Sequence, residues 1–149
     1  MQLDEKEFED FSPKDFLILA SELNLKQLDF DSSGSSIKRT IFGRSYYAAF
    51  LSVREFLPSN TEYASNPFGE HTRIPNFIKS RGPFNEEDNE KIYRDLLLLK
   101  KLRHQADYYL EVPPIGTKEH KNWLFNDVDY AIDVASKIIG MFENRFKNS

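Results

Sequence analysis

The residues best suited to chemistry run from Lys100 to Tyr109, as Lys-Lys-Leu-Arg-His-Gln-Ala-Asp-Tyr-Tyr. Arg103 can grip a phosphate through two parallel N–H bonds, and His104 can move a proton near neutral pH. Asp107 stands four residues after Arg103, so on a helix the two side chains share a face and can pair. His104 points about 100° away from Arg103, so a common site is not guaranteed. The plainer reading of these cations is that they complete a helix, where the dipole favours positive charge. A second candidate is Arg44-Ser-Tyr-Tyr-Ala-Ala-Phe50, in a stretch where Lys38, Arg39, Arg44 and Arg54 are offset only by Glu55. Such a face can hold RNA through phosphate contacts and base stacking. Its plainer reading makes Tyr46, Tyr47 and Phe50 core residues, and Arg44 the partner of a buried acid.

Other chemistry has little support. His71 and His120 read as surface or capping residues, and no HExxH or similar spacing joins the 3 histidines, so neither a metal nor a cofactor is expected. The absence of cysteine removes disulfides, thiol catalysis and thiolate ligands, and fits a reducing compartment. A net charge of −4 argues against binding nucleic acid by bulk charge, though not against a local basic site. No apolar run is long enough to span a membrane, and the opening residues are acidic where a signal peptide is basic and then apolar, so a cytoplasmic protein is expected.

The elements that would position these residues are all helical. A length of 149 residues suits one domain, here 1–149 with residues 1–11 as an acidic extension. Ser12-Pro13-Lys14-Asp15 is a helix start, and Phe16, Leu19, Ala20 and Leu23 carry helical spacing toward Phe30. Asp31 to Ser35 reads as a linker, and Ser36 as the cap of a second helix reaching Leu57. Gly43, Ala48 and Ala49 in it are small enough for a neighbouring helix to come close. Residues 58–69 read as a loop, and His71–Ser80 as a short helix that Pro75 should curtail. Asn85 or Asp88 begins a fourth helix, expected to be central, with Ile92, Leu96, Leu99, Leu102 and Ala106 in register as far as Leu110. The Leu96-Leu-Leu-Leu99 run suggests burial on more than one side. After a loop over 111–120, Asn126 or Asp127 caps a last helix with Val128, Ala131, Ile132, Ala135, Ile138, Ile139 and Phe142 inward. The fold class read from this is all-α, an up-and-down bundle of four to five helices.

The two candidate helices, in order and spacing, resemble the HEPN family. Arg44-Ser-Tyr-Tyr-Ala-Ala-Phe50 is similar to its second-helix signature, His71-Thr-Arg-Ile-Pro-Asn-Phe-Ile78 to the short segment that follows, and Leu102-Arg-His-Gln-Ala-Asp-Tyr108 to the ending of one branch. The likeness covers about Lys38 to Phe146. It implies a homodimer and a metal-independent ribonuclease site in which Arg103 is the motif arginine. The family's histidine, four to six residues further on, is replaced here by Asp107, Tyr108 and Tyr109, so that either nuclease activity is lost or His104 takes over part of the histidine's catalytic work. The branch also includes helical partners of small nucleotidyltransferases in toxin–antitoxin or phage-defence gene pairs. The readings are therefore an RNA-directed effector, a non-catalytic partner that binds a nucleotidyltransferase or a nucleotide, and a dimerisation module. In each, Arg44, Tyr47, Arg103, Asp107 and Tyr108 are expected to meet in one pocket between the second and fourth helices.

Overall fold

The computed structural model describes residues 12–26, 34–57, 69–108 and 128–147. Five helices occupy them: α1 Pro13–Leu25, α2 Gly34–Phe56, α3 Glu70–Arg81, α4 Glu86–Tyr108 and α5 Val128–Lys147. No strand occurs among the described residues, and no helix there is long and apolar enough to cross a membrane. The acidic extension, the Asp31 turn, the loops over 58–68 and 111–120, His120 and the Asn126 or Asp127 cap lie outside these residues.

Local chemistry sets the helix starts. Ser12 and Asp15 cap α1 reciprocally: the Ser12 hydroxyl accepts from the Lys14 amide at 3.4 Å, and the Asp15 carboxylate accepts from the Ser12 amide at 3.0 Å. Asn85 is the cap of α4, its side-chain oxygen taking the Asp88 amide at 2.8 Å. α2 begins at Gly34, ahead of the expected Ser36 cap, and the Ser36 carbonyl instead accepts from the Thr40 hydroxyl at 3.0 Å. α3 does not stop for Pro75. A proline in the second turn removes one helical bond, to the His71 carbonyl, and the buried ring and the α4 packing behind it hold the helix through Arg81.

Salt links and ring contacts give the topology. Lys14 meets Glu143 at 3.3 Å and Asn24 meets Asp129 at 2.6 Å, so α1 and α5 run antiparallel. Arg39 reaches Ala106, and Arg103 lies over Tyr47, so α2 and α4 also run antiparallel. At the other end of the bundle Phe142 packs 5.6 Å from Phe56 and 5.2 Å from Phe84, and Arg145 donates to the Pro83 carbonyl at 2.9 Å. The four long helices therefore alternate in direction, with α3 laid against α4.

The central helix is α2 rather than α4. It packs on α1, α4 and α5, and Ile37, Ile41, Phe42, Tyr46, Ala48, Ala49, Phe50 and Val53 bury more than one of its faces. In α4 the expected stripe is buried, but the leucine run is not enclosed all round: Leu97 is 38% exposed. In α1 Ala20 is buried, whereas Leu19 is 40% exposed beside Ile18, because one neighbouring layer covers only part of that helix. Each fully buried leucine or isoleucine stabilises the bundle by roughly 1.5–3 kcal/mol relative to exposure.

Candidate functional site

Arg39, Thr40, Gly43, Arg44 and Tyr47 recur at spacings of one to four along α2 and so share a face. Across from them α4 presents Arg103 and Asp107, and together these seven residues line an open cleft of about 270 Å³. Gly43 is not met by a close helix: among the described residues, no atom outside its own helix backbone and chain neighbours lies within 4 Å of where its Cβ would stand, and Gly43 lines the cleft. Ala48 and Ala49, by contrast, are fully buried against neighbours.

Each cation is held differently. The Arg103 Nε donates to the Asp107 carboxylate at 3.2 Å, and the guanidinium sits 4.9 Å from the Tyr47 ring centre and 5.6 Å from that of Tyr46. The ion pair engages one of several N–H donors, so the planar fork keeps capacity for an anion. Arg44 lies 5.1 Å over the Phe16 ring, with no ion pair to an acid among the described residues. Arg39 donates to the Ala106 carbonyl at 2.7 Å, offsetting the negative dipole of the α4 end that faces the cleft. Among the described residues that line the cleft, three are arginines and one is a carboxylate.

Of the five residues expected to meet, Arg44, Tyr47, Arg103 and Asp107 do so, and Tyr108 does not. Four positions along a helix turn a side chain by about 40°, but five turn it by about 140°. Tyr108 therefore leaves the cleft and is 67% exposed, its ring 4.7 Å from that of His104. His104 likewise points away from the arginine cleft. Both line an adjoining cleft of about 290 Å³ with Leu97, Lys100, Lys101 and Arg103.

Behind Arg103 is an arrangement the sequence did not suggest. Tyr46 is 1% exposed, and its hydroxyl is hydrogen-bonded to the His71 Nδ1. Burial raises the Tyr46 phenol far above its ordinary value, although nearby Arg103 pulls the other way. The phenol therefore stays protonated, and which of the Tyr46 hydroxyl and the His71 Nδ1 donates is set by the imidazole tautomer. Burial, then the Arg103 and Lys100 charges, lower the His71 pKa. The ring stacks 4.5 Å from Phe50. His71 is thus a neutral packing and orienting residue beneath the cleft rather than a surface cap. Arg54, grouped with the basic residues of α2, bonds the buried Glu70 at 3.1 Å. Among the described residues no three His, Asp or Glu side chains gather as a metal site.

No family model matches the chain, and no solved structure matches it. It is 31% identical over 139 residues to the uncharacterized protein MJ0628 of Methanocaldococcus jannaschii, an alignment that covers 84% of this chain and 79% of that protein.

Proposed function

The chain belongs to the family of this archaeal protein, and for this member we propose a cytoplasmic, homodimeric, HEPN-like RNA-directed effector, of the toxin–antitoxin or phage-defence kind, that grips the RNA backbone in its arginine cleft. The observation that carries the reading is Arg103, braced by Asp107 and by the Tyr47 face beside Arg39 and Arg44, in a protein whose overall charge is negative. A braced guanidinium loses little freedom on binding and offers the fork that matches a phosphate. Cleavage without a metal requires the RNA 2′-hydroxyl to lose its proton, attack phosphorus and expel the 5′-oxygen, which gains a proton. On this reading His104, in the adjoining cleft that Arg103 also borders, is the proton carrier and Arg103 steadies the phosphate.

One observation favours a second reading, a non-catalytic helical partner or dimerisation module that binds a nucleotidyltransferase or a nucleotide: the described residues lining the arginine cleft include no histidine. One experiment separates the two. Total RNA and tRNA are incubated with the protein in EDTA beside an Arg103→Ala control, and fragments and retained RNA are read on gels. Fragments made by wild type alone establish a metal-independent ribonuclease. RNA retained uncut by wild type and released by the variant gives the non-catalytic reading, and RNA neither cut nor retained rejects the RNA-directed function.

A further inference from the structure

Arg103 borders two clefts, and the proposed function grips the RNA backbone in one of them. The other, on the outer face of α4, holds large apolar groups in water: Tyr108 is 67% exposed and Leu97 38%. Lys100 and Lys101 flank them, and the His104 ring lies 4.7 Å from that of Tyr108. Helix completion explains the cations, but it does not explain an exposed ring pair beside a leucine. At about 290 Å³ the cleft is close to the lower limit for pockets that take small organic groups, about 300 Å³.

Charge decides what fits. Among the described residues lining the two clefts, Arg39, Arg44, Lys100, Lys101 and Arg103 are cationic and Asp107 is the one acid, a local excess of positive charge in a chain of net −4. A second copy related by a two-fold axis and seated in the outer cleft would set these cations against themselves. A duplex would satisfy the cations but hide its bases from the rings. Single-stranded RNA supplies both, an anionic backbone and flat faces.

We propose that the two clefts are adjacent subsites for single-stranded RNA, with a phosphodiester on Arg44 and Arg103 and a neighbouring base stacked on Tyr108 and His104. This rests on the arginine-cleft reading above, and Arg103 is the joint between the subsites.

The test is fluorescence anisotropy in EDTA with a labelled 2′-fluoro oligouridylate, which lacks the 2′-hydroxyl needed for cleavage, beside an abasic strand of equal length and a hairpin duplex. Wild type binds the oligouridylate more tightly than either comparison strand. Tyr108→Ala weakens oligouridylate binding by about tenfold, the loss of one stacked base, and leaves the abasic strand unchanged; Tyr108→Phe retains binding. Arg103→Ala weakens both single strands. Wild-type affinity in Tyr108→Ala, with loss in Arg44→Ala and Arg103→Ala, overturns the stacking subsite and leaves the arginine cleft standing. Undiminished binding in both arginine variants overturns both. If Tyr108→Ala instead converts a sedimenting dimer to monomer, the outer cleft is a protein interface and the proposal falls.

Discussion

His71 and Tyr46 are 25 residues apart, and no local pattern joins them. A lone histidine at a helix start looks like a cap until its partner is placed beside it, which is why this part of the site was illegible in the sequence. Arg103 and Asp107 were legible because both lie on one turn of one helix. The buried pairing has a consequence in pH. Burial, and after it Arg103, Lys100 and Arg54 facing His71 against Glu70, hold the folded-state pKa below the ordinary 6.5. Above that value the ring is neutral in folded and unfolded chains alike. As pH falls below it the unfolded chain takes up the proton first, and stability declines until the folded ring also titrates. Urea midpoints measured from pH 7.5 to 5 should fall more steeply for wild type than for His71→Gln. Ser45 gives a simpler case. Its hydroxyl is fully buried with no hydrogen-bond partner among the described residues, so Ser45→Ala should stabilise the protein by about 1 kcal/mol in urea denaturation.

At the scale of elements, the apolar stripe of α4 was readable, since Ile92, Leu96, Leu99, Leu102 and Ala106 are all buried. Periodicity names the buried side of a helix, but not how many neighbours surround it. That is why α2 rather than α4 proved central, and why Leu19 and Leu97 face water. The α3–α4 turn depends on Asn89, which no spacing rule singles out. Its amide donates to the Gly82 carbonyl at 3.1 Å and the Phe84 carbonyl at 3.0 Å, and accepts from the Phe84 amide at 3.1 Å, while only 6% exposed. Asn89→Ala should lower unfolding stability by about 2–3 kcal/mol, roughly one for each bond lost. A comparable urea midpoint in the variant would mean that the turn is held by its aromatic neighbours alone.

For the whole molecule, the proposed RNA binding by an acidic protein requires a confined basic surface. Its affinity should fall with salt as a few phosphate contacts require, with a log–log slope of about −0.7 for each phosphate on a single strand. Arg44→Ala should reduce that slope by roughly one such step in a salt titration of oligouridylate binding. The bundle itself also has two unlike ends. Arg39, Arg44 and Arg103 gather at one, while Phe56, Phe84 and Phe142 lock the other, where Arg145 fastens α5 to the α3–α4 turn. From the start of α4 to Arg103 the helix rises about 25 Å. A chain immobilised on a sensor through a handle on the exposed rim of that turn would stand with its arginine cleft pointing into the flow, and its orientation would be set by the fold rather than by chance attachment through lysines.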